Sequence, residues 1–136
     1  VLKGLEWRRG AMAMTIAHDS HNLIVAGHNP DDMLLAAREL EKCGGGVAFV
    51  DKGKVLGKVA LPLAGLMSSK SVSDLAEEIA VLDEIARGMG VEAPSPALAI
   101  VGLALVVAPR VRVSDLVGLF DTIKQTTLPI FPKNKE

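Results

Sequence analysis

Val47-Ala48-Phe49-Val50, then Asp51-Lys52-Gly53-Lys54, then Val55-Leu56: this stretch decides how the chain folds. Two apolar runs flank a polar tetrapeptide, which describes a β-hairpin, because Gly53 supplies the positive φ that a tight hairpin loop requires. The second strand is expected to run on to Val59 or Leu61, with Gly57 as a bulge.

Upstream of the hairpin, Asn29-Pro30-Asp31-Asp32 announces a helix. Asn29 suits the N-cap, Pro30 the first position, and the two carboxylates favour the positive end of the macrodipole. Met33, Leu34, Ala37 and Leu40 are expected near one face, and Gly44-Gly45-Gly46 ends the helix after Cys43. Earlier still, Ala11 to His18 and Asn22 to Gly27 are apolar runs suited to buried strands, separated by the polar insert Asp19-Ser20-His21.

Downstream, Pro62-Leu63-Ala64-Gly65-Leu66-Met67-Ser68 reads as an ordered loop. Ser71 or Ser73 then caps a helix to about Arg87, in which Leu75, Ile79, Leu82 and Ile85 form an amphipathic stripe. The run from Ala97 to Ala108 is read as a short helical start followed by a strand near Leu103 to Val107. Val111-Arg112-Val113 alternates, Ser114-Asp115 suits a turn, and Leu119 to Thr127 forms a last strand. The expected fold is α/β (α+β-like): a mixed β-sheet with a β-hairpin and two main helices packed on it, in a single domain over residues 1–136.

Composition narrows the function. With 136 residues and 49% apolar side chains, the chain can bury one continuous core. A net charge of −1 gives no broad basic field for nucleic acid, and the four aromatics (Trp7, Phe49, Phe120, Phe131) make no base-stacking platform. The lone Cys43 excludes an intramolecular disulfide framework and fits a reducing compartment, so a cytoplasmic location is expected. The stretch Ala97 to Ala108 is far shorter than the roughly 20 residues needed to span a bilayer, so no membrane partner is expected. The start at Val1, with neither an initiator Met nor a signal-peptide core, suggests a piece of a longer protein.

His18-Asp19-Ser20-His21-Asn22 is the densest polar cluster and interrupts two apolar strands. Two readings fit it: a polar turn whose side chains satisfy local backbone, or a loop whose imidazoles, hydroxyl and amide meet a ligand. Two His and one carboxylate within five residues lack the spaced ligand pairs of a structural zinc site, so no metal is assigned to this chain. Gly44-Gly45-Gly46 follows a helix and precedes a strand, the reverse of a phosphate-binding loop, and reads as helix termination. Cys43 reads as a structural thiol, Glu77, Glu78, Asp83 and Glu84 as a solvated helix face, and His28 as a loop residue.

The phrase Thr15-Ile16-Ala17-His18-Asp19-Ser20-His21-Asn22 closely resembles the start of the C-terminal domain of bacterial and archaeal adenine deaminases, metal-dependent members of the amidohydrolase superfamily. The resemblance continues in order through Asn29 with Asp31-Asp32-Met33, Gly44-Gly45-Gly46-Val47, Asp51-Lys52-Gly53-Lys54-Val55 and Leu61-Pro62-Leu63-Ala64-Gly65-Leu66-Met67-Ser68. It implies a hydrolase of purine metabolism that converts adenine to hypoxanthine and ammonia. It also implies a binuclear manganese or iron site in a TIM-like barrel of the same polypeptide, against which this domain packs. The barrel's His-x-His metal pair has no counterpart here, since His18 and His21 are spaced differently, so no cofactor is expected on this chain itself.

On that resemblance the His18–Asn22 loop is expected to face the barrel mouth and to enclose or orient the purine. Chemistry then suggests His18, Asp19 and His21 as catalytic candidates, with His18 or Asp19 shuttling protons. Ser20 and Asn22, with His21, are candidates for hydrogen bonds to the substrate's ring nitrogens or to metal-bound water. The rival readings are a free-standing, non-catalytic domain that binds a purine or docks on a barrel subunit, and a structural module that completes a homo-oligomer through an apolar patch at Leu63 to Met67.

Overall fold

A computed structural model describes residues 5–18, 21–105, 107–114 and 116–131. Its main sheet has four strands, β1 (Ala11–Met14), β2 (Ile24–Gly27), β3 (Gly46–Asp51) and β4 (Lys54–Ala60), in the order β2-β1-β3-β4. Every neighbouring pair in it is antiparallel. Helix α1 (Pro30–Cys43) packs on one face and helix α2 (Val72–Gly88) on the other. The expected α/β class, with a hairpin and two main helices on a sheet, is the class observed.

Side-chain alternation builds the three layers. Ala13, Ala48 and Val50 point to Ala36 and Leu40 of α1, while Met12, Met14, Val47 and Phe49 point to Leu82 and Ala86 of α2. Small residues on the first face let α1 approach the sheet closely, and the large ones fill the wider gap on the second. Because β1 and β3 are buried on both faces, they read as continuous apolar runs.

The hairpin is joined by Lys52 and Gly53, with Asp51 opposite Lys54. Both loop residues have positive φ (51° and 73°), as a type I′ turn demands. Sequence reasoning credited Gly53 alone; Lys52 is held in the left-handed region by a partner distant in sequence. The buried Asp32 carboxylate, at the start of α1, accepts hydrogen bonds from Gly53 N (2.8 Å) and Lys52 N (3.0 Å) and from Asn29 Nδ2 (2.7 Å). Asn29 caps α1 as expected, its side chain accepting from Asp32 N at 2.8 Å. The ladder shifts register beyond Phe49, so that Leu56 is extra and Gly57 lies opposite Phe49, beneath Leu82 and Ile85 of α2.

Three local expectations change. Of the face expected for α1, Leu40 is buried and Met33 and Ala37 half-buried, but Leu34 is 51% exposed, and Asp32 and Ala36 are the other buried positions of the helix. The helical start expected after Pro96 is a 3-10 turn, Pro96–Leu98, and a second 3-10 turn, Val101–Ala104, occupies the beginning of the segment expected as a strand near Leu103 to Val107, of which Val106 lies outside the described residues. Pro96 opens the first turn and Asp83 Oδ1 accepts from Ala97 N at 2.8 Å, so Ala97 and Ile100 are buried in the α2-side core. Asp83 is thus a cap rather than part of a solvated face. Finally, the stretch read as one strand from Leu119 to Thr127 is a hairpin of β6 (Gly118–Asp121) and β7 (Thr126–Leu128), which joins β5 (Val111–Ser114) in a second antiparallel sheet.

Candidate functional site

The connection between β1 and β2 carries the polar cluster, at the end of the main sheet opposite the hairpin turn. Two other loops meet it there. Thr15 Oγ1 accepts from Gly46 N (2.8 Å) and donates to Gly65 O (2.5 Å), and Leu61 N donates to Gly45 O (2.9 Å). Gly45 has φ 117°, and a Cβ there would stand 2.5 Å from the Gly65 Cα, so only glycine permits this approach. The segments starting at Thr15, Gly44 and Leu61 are therefore bolted into one rim. Sequence spacing hides this meeting, since the bolt, Thr15, looks like an ordinary strand-end threonine.

Within the rim, the His18 and His21 rings are edge to face with centroids 5.0 Å apart. His21 sits in the left-handed region (φ 52°), and its amide donates to Ala17 O at 2.6 Å. His18 is exposed and His21 half-buried. The His21 Nδ1 atom is buried without a hydrogen-bond partner among the described residues. Asn22 is exposed and makes interactions of its own. Asp19 and Ser20, the remaining candidates, lie outside the described residues.

The rim is also apolar. Leu63 is 50% and Met67 59% exposed, and no charged residue occurs from Val59 through Ser69. A hollow of about 210 Å³ opens beside it, lined in part by Thr15, Leu23, Leu40, Glu41, Gly44 and Gly45. That is smaller than the roughly 300 Å³ at which ligand pockets begin. Among the described residues, no group of three or more His, Cys, Asp or Glu side chains is placed to hold a metal ion. No helix among them is long and apolar enough to cross a membrane.

Residues 1–126 match the family model described as the adenine deaminase C-terminal domain. The chain belongs to that family. It is 44% identical over 130 residues to an adenine deaminase of Clostridium botulinum (strain ATCC 19397 / Type A), a match covering 96% of this chain and 22% of the relative. It is 41% identical over 131 residues to adenine deaminase 2 of Carboxydothermus hydrogenoformans, covering 96% of this chain and 23% of that protein. With an adenine deaminase of Staphylothermus marinus it shares 42% identity over 133 residues, or 97% of this chain and 22% of the relative. The adenine deaminase C-terminal domain thus spans about a fifth of the length of these relatives. The three rim loops contain three of the phrases that carry the resemblance, those at residues 15–22, 44–47 and 61–68, while the phrases at Asn29 to Met33 and Asp51 to Val55 meet at the opposite end of the sheet through Asp32.

The other sequence candidates are structural in this domain. The Cys43 thiol, at the end of α1, lies within 3.5 Å of the carbonyl oxygens of Glu39, Leu40 and Gly45. His28 packs edge to face on Trp7, with its Nε2 3.1 Å from Trp7 O. Sequence reasoning missed Asp32 as the support of the hairpin turn. The signal available was an aspartate at the third helical position, which the macrodipole explained too readily.

Proposed function

We propose that this domain helps to close or orient the active site of an adenine deaminase, whose hydrolytic centre is built by a metal-binding barrel in the same polypeptide. The reaction consumes adenine and water and yields hypoxanthine and ammonia. The observation that carries the reading is the half-buried His21: a left-handed residue on a bolted rim, with an imidazole nitrogen left without a described partner. The Thr15 bonds anchor the start of this loop, and the His21 amide ties back to it at Ala17 O.

The described residues do not fit the binuclear manganese or iron centre that the family resemblance implies, because His18 and His21 are joined by no third donor. This chain's part is to bind, orient and move protons at the edge of the site. In the proposed arrangement, His21, Ser20 and Asn22 hydrogen-bond the purine, and His18 or Asp19 exchanges protons with solvent.

The test uses the full-length enzyme with His21→Asn, since asparagine tolerates the left-handed backbone and keeps the loop's shape. The expected result is at least a tenfold lower kcat/KM for adenine, with a changed pH profile and an unchanged melting temperature. Unaltered turnover and affinity would refute the loop's role. If charged substitutions at Leu63 and Met67 were then damaging instead, the rim would be a docking surface only.

A further inference from the structure

Thr15, the residue after β1, ties together segments far apart in the chain. Its backbone N–H donates to Gly46 O (3.0 Å), while its Oγ1 accepts from Gly46 N (2.8 Å) and donates to Gly65 O (2.5 Å). The fit around the hydroxyl is close. A Cβ at Gly45 would stand 2.9 Å from Thr15 Oγ1, and one at Gly65 would stand 3.1 Å from it. Backbone strain gathers in the segments that Thr15 joins. Two of the five non-glycine residues with positive φ among the described ones are His21 (52°) and Ala64 (57°), one in each of two joined segments. Such conformations persist only where the surroundings hold them, and they concentrate at functional sites.

We propose that Thr15 is a positioning residue for the deamination, setting the place of the His21 imidazole through the loop it anchors. The same bond makes the Leu61 to Ser68 segment part of the machinery, although that segment has no ionisable side chain. The path from Thr15 to His21 is short. Ile16 packs against the α2-side core, and Ala17 is 2% exposed, so the chain after Thr15 has little room to shift. Ala17 O then accepts from His21 N at 2.6 Å, so the turn that carries His18 and His21 hangs from this stub. Thr15→Val keeps the β-branched shape but removes both side-chain bonds, which frees the stub from Gly65 and weakens its tie to Gly46. A misplacement of about 1 Å in a positioned group can lower turnover by as much as about 10²-fold.

The inference rests on the proposed role of the His18–Asn22 loop in turnover. Its test uses the full-length enzyme with Thr15→Val, Thr15→Ser, His21→Asn and the double variant of Thr15→Val with His21→Asn. Thr15→Val should lower kcat/KM for adenine about tenfold and change the pH profile as His21→Asn does, while Thr15→Ser, which keeps the hydroxyl, retains most of the activity. The double variant should be no worse than His21→Asn alone, because the threonine acts through the histidine. In the metal-free full-length protein, amide exchange at His21 should be about tenfold faster in Thr15→Val and unchanged in Thr15→Ser. Losses that multiply in the double variant, wild-type activity in Thr15→Val, or equal exchange in all variants would overturn the proposal. So would an equal loss with the same pH profile in Gly57→Ala, which strains the α2 packing instead. If Thr15→Val fails to fold, Gly65→Ala disturbs the same junction from its other side and is read by the same criteria. An unaffected His21→Asn refutes the loop's role, whereas an affected His21→Asn with an unaffected Thr15→Val refutes this inference alone.

Discussion

Replacing Asp32 by alanine tests the least obvious support of the fold. Its carboxylate, 2% exposed, accepts from Gly53 N, Lys52 N and Asn29 Nδ2 at 2.7–3.0 Å. Hydrogen bonds to a charged group contribute roughly 1.5–3 kcal/mol each. Lys52 and Gly53 are exposed, so water can replace the carboxylate on both amides, which sets each bond at the low end. Asn29 keeps its cap, because its Oδ1 bonds the backbone of residue 32 rather than the side chain. The expected loss is therefore about 3 kcal/mol. With a urea m-value of about 2 kcal/mol/M, the unfolding midpoint falls by about 1.5 M.

The pH dependence of this loss is a second, independent signature. The Gly53 amide above all, aided by the Asn29 and Lys52 amides, holds the Asp32 carboxyl below its ordinary 3.8 against the opposing effect of burial. A folded-state pKa that is lowered gives stability present above the unfolded value and lost as pH falls through the folded one. Urea titrations of wild type and Asp32→Ala should differ by a constant amount from about pH 7 to about pH 5, and the gap should close below about pH 4. A gap under about 1 kcal/mol at neutral pH, or one that persists unchanged into strong acid, would refute the assignment of the turn's stability to this carboxylate.

Two further perturbations probe the outer face and the α2 packing. Glu39 is held at about 2 first by its hydrogen bond to Lys42 and then by that to Lys58, so any stability it lends is present above its ordinary 4.5 and lost as pH falls toward about 2. An NMR titration should find that midpoint, Lys42→Met should raise it more than Lys58→Met, and an ordinary midpoint in wild type would show that the ion pairs do not persist in solution. A Cβ at Gly57 would stand 2.5 Å from Ile85 Cδ1 and 2.9 Å from Leu82 Cδ2, so Gly57→Ala should cost about 1–3 kcal/mol by overpacking α2 on the hairpin. Thermal unfolding should show most of that recovered by adding Ile85→Val, and no recovery would place the strain in the backbone instead.

Legibility in the sequence followed the range of the interactions. Asn29 as a cap, a cap at Ser71 or Ser73 (Ser71 in the structure), the hairpin at Lys52-Gly53, and the Leu75–Ile85 stripe were all legible, because each depends on neighbours within a turn or two of chain. The His18–Asn22 cluster was also visible, and its family phrases could be read directly. Its environment was not. Thr15 reaches Gly46 and Gly65 across 31 and 50 residues, and nothing local marks those partners. The same holds for Asp32, whose helix-start position gave a sufficient local reason while its main partners lie 20 and 21 residues away.

The segment after Pro96 shows the limit most clearly. Small and β-branched residues there have weak, conflicting preferences; the helical start was legible, its Asp83 bond at Ala97 was not, and a second 3-10 turn at Val101–Ala104 stands where the strand was expected to begin. The sequence by itself determined where elements start and stop and which faces are apolar, since capping, turn chemistry and periodicity act over a few residues. Tertiary structure alone decided that three distant loops meet at Thr15, and that the last three strands form a second small sheet of their own. Those outcomes depend on hydrogen bonds and burial between residues far apart in the chain, which no local pattern encodes.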